Sequence, residues 1–178
     1  MDSTVRSSDA SPDDSDRWVT GLFEANVGAA FNVAYRITWS RTDALDVVQD
    51  AFIKAMRRAD QLREPTKARS WLLSITYREA LSMLRSRRET ATDPSELDGL
   101  SGSAQDPADV VARRELAALI DAAIMRLAEP LRTAFVLRDV EELPIAEVAE
   151  ILGIGVSASK MRVARAREQL RVALEGEI

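Results

Sequence analysis

Cys and His are both absent from this chain of 178 residues. Zinc fingers, His-based triads and Cys nucleophiles are therefore excluded, and acid–base work would fall to carboxylates, Lys and Tyr. Glu141 and Glu142 form a carboxylate pair. Adjacent residues on a loop do not make a catalytic dyad, and no nucleophile accompanies them. Gly153 and Gly155 follow no strand and precede no Gly-Lys-Ser, so they are not a phosphate-binding loop. No catalytic, metal or cofactor site emerges. The residues whose types and spacing do carry chemistry are those that meet nucleic acid.

The most informative segment is Ile145-Ala-Glu-Val-Ala-Glu-Ile-Leu-Gly-Ile-Gly-Val156. Ala149 and Gly153 stand four apart, with Val148, Leu152, Ile154 and Val156 around them. That is the pattern of a helix-turn-helix. A small residue lets the helices cross closely, and Gly supplies the left-handed residue that ends the first. The next helix places Val156, Val163, Ala166 and Leu170 on one face. Its other faces carry Ser157, Lys160, Arg162, Arg165, Arg167 and Arg171, with Glu168 the one acid in that span. Short polar residues followed by cations suit a helix that enters the major groove and grips phosphates or guanine edges. A basic, solvated face on an ordinary helix hairpin is the bland alternative; the Ala–Gly corner favours DNA.

In the N-terminal half, Asp43, Asp46 and Asp50 recur at i, i+3 and i+7, with Gln49 beside them. Like charges at this spacing disfavour an isolated helix, which points to a basic partner surface. A plain preference of acids for a helix N-terminus explains Asp43 and Asp46 equally well, but not Asp50. The following helix is basic. Arg63, Lys67, Arg69, Arg78, Arg85, Arg87 and Arg88 lie on it or before it, with Trp71 and Tyr77 interleaved. Cations with aromatics are the composition that holds phosphates while stacking unpaired bases. Trp71, within Ser70-Trp71-Leu72-Leu73, also reads as plain core, and Arg85, Arg87 and Arg88 as a helix end that favours its own dipole.

Helices must position these groups. Hydrophobic residues make up 46% and charged residues 30%, as in globular proteins. No apolar run is long enough to span a membrane, and no signal-peptide pattern opens the chain. The sequence predicts an acidic disordered tail over 1–16, then a helix with Phe23, Val27, Ala30, Ala34 and Ile37 inward. Thr42 reads as the N-cap of a second helix with an Ala44, Val48, Ala51, Ala55 stripe. A third runs from about Lys67 to Arg88, with Trp71, Leu72, Ile75, Leu81 and Leu84 inward. Residues 89–109 carry six acids, no Lys or Arg, and Pro94, Gly99, Gly102 and Pro107, the composition of a flexible acidic linker. Helical patterning resumes with Val111, Leu116, Leu119, Ile120, Ala123 and Leu127. Pro130 suits the first position of the next helix, and Pro144 opens the one that Gly153 closes. The expectation is an all-α chain: a tail over 1–16, a helical domain over 17–88, the linker over 89–109, and a helix-turn-helix domain over 110–178.

These residues resemble the extracytoplasmic-function (ECF) sigma factors of bacterial RNA polymerase. Asp43-Ala-Leu-Asp-Val-Val-Gln-Asp-Ala-Phe-Ile-Lys-Ala-Met56 is similar to D-A-E-D-L-V-Q-E-T-F-L-R-A-W, and Arg69-Ser-Trp-Leu-Leu-Ser-Ile75 to R-A-W-L-F-R-I. Leu127–Leu137 resembles L-P-x-x-x-R-x-x-x-x-L. Arg138 to Ile154 is similar to R-D-L-E-G-L-S-Y-A-E-I-A-E-I-L-G-I. The resemblance implies that Asp46, Gln49 and Asp50 dock on the clamp helices of the polymerase's largest subunit, the C-terminal domain meeting the flap of the second. It implies that Arg63, Lys67, Tyr77, Arg78, Ser82 and Arg85 bind and help melt the −10 element. Ser157, Ala158, Lys160, Met161, Arg162 and Arg165 would then read the −35 element. It also implies an anti-sigma partner, a cytoplasmic location, no cofactor and no membrane insertion. The chain departs from the family at Arg78 and Ser82, where Asn and Asp are frequent. It also departs in Val156-Ser-Ala-Ser-Lys-Met-Arg-Val163, against V-G-T-V-K-S-R-L. There Ser159 replaces a buried aliphatic, at a cost of about 1–3 kcal/mol if its hydroxyl goes unpaired.

Net charge is −5, which disfavours unaided DNA binding. A subunit that borrows affinity from a polymerase tolerates it. Fully extended, 89–109 spans about 70 Å at ~3.3 Å per residue. That covers two DNA elements about 17 base pairs, or ~58 Å, apart. The competing reading is a two-domain helix-turn-helix repressor or activator that dimerises on a palindrome without polymerase.

Overall fold

The computed structural model describes residues 12–62, 64–90 and 108–175. Those residues form seven α-helices and no strand. They are α1 (Pro12–Thr38), α2 (Arg41–Arg57), α3 (Ala68–Thr90), α4 (Ala108–Arg126), α5 (Glu129–Phe135), α6 (Ile145–Leu152) and α7 (Val156–Glu175). Single 3-10 turns at Ala59–Gln61 and Pro65–Lys67 join α2 to α3. Residues 91–107, most of the expected linker, and 1–11 of the expected tail lie outside the described residues.

Several local expectations are corrected. Helix α1 starts at Pro12, inside the segment read as tail; a proline fits a first helical position because its missing N–H has no partner there anyway. Ser40, not Thr42, caps α2: its hydroxyl accepts the Asp43 N–H at 3.3 Å. Trp39, with φ of 55°, turns the chain between the two helices. Its amide donates to the Tyr35 carbonyl at 2.7 Å, the left-handed ending that Gly more often supplies. Lys67 lies in the 3-10 turn, one residue ahead of α3. Pro130 takes the second position of α5, which Glu129 opens.

Helices α1, α2 and α3 pack as one bundle. Ala30, Val33, Ala34, Ile37, Ala44, Val47, Val48 and Leu73 are buried where they meet. The small Ala residues let the axes approach closely. At the other end of the bundle Val19, Ala51, Ala55, Leu72 and Ile75 close a second core, and the Phe23 and Phe52 rings stand 4.5 Å apart. In the C-terminal half, Ile124, Leu127, Leu137, Val148, Val163, Ala166 and Leu170 are buried. Arg132, buried itself, donates to the carbonyls of Met125 and Leu127 at 3.3 and 3.2 Å and fixes the α4–α5 corner. A π turn over Val136–Val140 follows, with the Glu141 amide bonded to the Val136 carbonyl at 2.9 Å.

The two halves are not separated in space. One apolar cluster runs from Ala30 and Leu73 of the first to Leu137, Val148 and Leu170 of the second. Polar contacts rim it. Arg36 reaches Asp121 at 3.0 Å, and the Arg132 guanidinium lies 5.6 Å from the centre of the Trp39 ring.

Candidate nucleic-acid interface

The helix-turn-helix is built as its spacing requires. Gly153 has φ of 64° and ends α6; its amide donates to the Glu150 carbonyl at 3.2 Å, and the Ile154 amide to the Ala149 carbonyl at 3.0 Å. Ala149 is buried at the crossing. Along α7, Ser157, Ala158, Lys160, Met161 and Arg165 are exposed and Arg162 is half-buried. Met161 is 55% exposed, so its thioether faces water rather than core. Val156, placed on the inward face by its spacing, is exposed, because the first residue of α7 precedes the contact with α6. The face is less cationic than its composition. Arg167 pairs with Asp139 through two hydrogen bonds of 2.9 and 2.5 Å, and Arg171 pairs with both Glu168 and Glu175. Lys160, Arg162 and Arg165 hold the front.

Ser159 is fully buried in α7, and its hydroxyl has no hydrogen-bond partner. The position read as a lost aliphatic is thus an unpaired polar group in the corner of the motif.

Of the residues assigned to the −10 face, Arg63 lies outside the described residues. Arg78, Ser82 and Arg85 are exposed on α3, and Tyr77 is half-buried. Burial and the nearby Glu129 carboxylate push the Tyr77 hydroxyl above the usual tyrosine range, while Arg162 and Arg85 pull it down. Lys67 is not a free cation. Its Nζ stands 3.8 Å from Glu64 and 4.0 Å from Glu150 of α6. Lys67, Trp71 and Arg78 line an open cleft of about 280 Å³ whose opposite wall is Glu147, Glu150 and Ile151.

The acidic stripe of α2 divides in two. Asp46, Gln49 and Asp50 are exposed on one face. Asp43 is buried instead; Arg87 donates to its Oδ1 at 2.7 Å and sits 2.5 Å from its Oδ2. The first position of the i, i+3, i+7 series is therefore structural, and Arg87 is its partner rather than a solvated helix end. Sequence periodicity missed Leu45 and Ile53, exposed by 50% and 46% on the Asp46 and Asp50 face. Their signal was a position off the Ala44, Val48, Ala51, Ala55 stripe. Val27, Leu119 and Ile120, read as inward, are exposed for the converse reason: the apolar series of α1 and α4 is wider than the surface each helix buries.

Two family models match in chain order: Sigma-70 region 2 over residues 22–90 and Sigma-70, region 4 over residues 117–170. ECF RNA polymerase sigma factor SigW of Bacillus subtilis (strain 168) is 30% identical over 150 residues, covering 79% of this chain and 80% of that one. The chain belongs to the ECF RNA polymerase sigma factors. SigJ of Mycobacterium tuberculosis is 37% identical over 155 residues, which is 82% of this chain and 48% of that longer one. Among solved structures, CnrH in complex with the cytosolic domain of CnrY superposes with a TM-score of 0.68 at 25% identity, over 94% of this chain and 96% of CnrH. No helix among the described residues of this sigma factor is long and apolar enough to cross a membrane.

Proposed function

We propose that this sigma factor docks on core RNA polymerase through the α2 face of Asp46, Gln49 and Asp50, with Leu45 and Ile53 adding apolar contact. It reads the −35 element with Ser157, Ala158, Lys160, Met161, Arg162 and Arg165. It holds the melted −10 strand with Arg63, Lys67, Tyr77, Arg78, Ser82 and Arg85. The reading works in the cytoplasm and involves no chemical step by this chain. The halves 17–88 and 110–178 act as separate modules on the promoter. A protein partner also belongs to this reading, an anti-sigma factor that clasps both halves; the similar CnrH is solved in complex with the cytosolic domain of CnrY.

One observation carries this reading. A solvent-facing acidic face on α2 and a cationic face on α7 coexist in a molecule of net charge −5. Such a molecule repels DNA on its own, so its DNA contacts must be recruited by a larger partner. Run-off transcription on a pooled promoter library, with purified core enzyme and this chain, tests it. Specific start sites that need both components are expected. A stable dimer that binds a palindromic duplex tightly without polymerase would overturn the reading.

A further inference from the structure

The outward face of α7 is apolar at its centre and cationic at its edges. Ser159, Val163, Ala166 and Leu170 are buried and fix the inward side of the helix. The helical turn puts Met161 almost opposite them, with Ala158 and Ala164 to either side, and all three are exposed. Lys160 and Arg162 flank this strip, and Arg165 lies one turn further on. Val172 is as exposed as Met161, at 57% against 55%. It lies near the end of the helix, however, where Glu168 and Glu175 hold Arg171. Exposure alone therefore does not single out Met161; its place between Lys160 and Arg162 does. Duplex DNA fits that arrangement. Phosphates would take the cations at the edges, and the apolar strip would face the floor of a major groove about 12 Å wide. Adenine is read there by the paired hydrogen bonds of Asn or Gln. The one side-chain amide on α7 is that of Gln169, about 12 Å along the axis from Met161. What a strip of Ala and Met can discriminate is the C5 methyl of thymine.

We infer that Met161, with Ala158, is a thymine-methyl reader: the −35 element of this chain carries thymine, on either strand, where it meets the middle of the outward face of α7, and the preference resides in the methyl group rather than in hydrogen bonds. This rests on the −35 reading above for the identity of the DNA. The apolar strip between two cations does not. Ser157 and Ala158, in the first turn, are short enough to let that end of the helix approach the bases. The flexible thioether of Met161 adapts its reach to the methyl. Removing one methyl from water is worth about fourfold in affinity.

The test uses holoenzyme assembled from core polymerase and the full chain. Promoter duplexes are first selected from a pool randomised over the −35 element, and thymine should be enriched at one or more positions. Each such thymine is then replaced by deoxyuridine, which removes the methyl and keeps every hydrogen-bonding group. The parent holoenzyme should bind the deoxyuridine duplex about fourfold more weakly for each methyl contacted. The same replacement in the spacer should change nothing. Met161→Ser should bind both duplexes alike, whereas Met161→Leu, still apolar, should keep the preference. The side chain is exposed, so neither substitution disturbs the core. Absence of thymine enrichment, equal affinity of the parent for the two duplexes, or full preference in Met161→Ser overturns the inference, and start-site selection in the same reactions keeps the sigma reading. Weaker binding of Met161→Ser to core polymerase, with the thymine preference intact, also overturns it and assigns the side chain to a protein contact. A thymine preference of the free chain on a duplex, without start-site selection by core polymerase, would leave the methyl reader standing and remove the sigma reading alone.

Discussion

Arg69 of α3 holds Glu141, 72 residues further along the chain, at two points: the carboxylate at 2.8 Å and the backbone carbonyl at 2.6 Å. Asn32 of α1 donates to the other carboxylate oxygen at 3.2 Å. Glu141 is thus buried between the two halves with both oxygens bonded, and the next residue, Glu142, carries a φ of 55° that turns the chain toward α6. The carboxylate cannot be left without its guanidinium cheaply. Because the Arg69 side chain is partly exposed, water replaces some of the loss. Arg69→Ala should therefore destabilise the chain by about 2 kcal/mol, read as a lower urea midpoint at unchanged slope. A midpoint equal to that of the parent chain would show that Glu141 is satisfied by other groups.

Ser159→Ala should do the opposite. It removes a buried hydroxyl that has no partner and places a better helix former inside α7. The gain expected is about 1 kcal/mol. Thermal unfolding would show it as a rise of a few degrees; a fall would mean that the hydroxyl is paired in solution.

Gly153→Ala probes the corner of the same motif. A Cβ there meets no neighbouring atom, so the cost is conformational alone. With φ at +64°, an L-residue is strained by about 1 kcal/mol. Asn at this position should recover part of that loss, which a steric explanation would not allow. Chemical denaturation of the two variants side by side separates the cases.

How far the residues themselves announced this molecule depends on the range of each interaction. The Ala44, Val48, Ala51, Ala55 stripe and the Ala149–Gly153 corner are legible because helical period and turn chemistry act within a few residues. Ser40 and Thr42 are both good caps two residues apart, so only the backbone decides between them. The pairing of Asp43 with Arg87 spans 44 residues, and that of Arg69 with Glu141 spans 72. No periodicity reports either, and both turned apparent surface charges into buried ones. The acidic composition around residue 100 suggested two modules joined by a flexible tether, and says nothing of how they pack. The shared cluster of Leu73, Leu137 and Leu170 depends on shapes that composition does not encode.

Tyr77 gives a pH signature. Its hydroxyl titrates above the ordinary value of 10.0 in the folded chain, chiefly through burial and next through Glu129. The neutral form is the protonated one, so the folded state holds this proton more tightly than the unfolded state does. The contribution is complete below pH 10 and is lost as pH rises through the folded value. Tyr77→Phe should flatten that part of the alkaline decline in unfolding free energy. A slope identical to the parent's above pH 10 would place the titration elsewhere.

The α2 face offers the sharpest test of the polymerase contact, because its side chains support nothing else in the fold. Asp46 and Asp50 are exposed, whereas Asp43, one turn away, is buried against Arg87. Reversing charge at Asp46 and Asp50 should weaken binding to core polymerase by at least about tenfold, roughly 0.7 kcal/mol or more per site. The unfolding midpoint should stay within about 0.5 kcal/mol of the parent. Asp43→Asn should show the reverse pattern, with stability lost and polymerase affinity kept for the fraction that is folded. Titrating labelled core enzyme with each purified variant, alongside its denaturation curve, distinguishes a docking face from a structural one. Equal polymerase affinity for the Asp46→Arg, Asp50→Arg double variant and the parent would move the docking surface off α2.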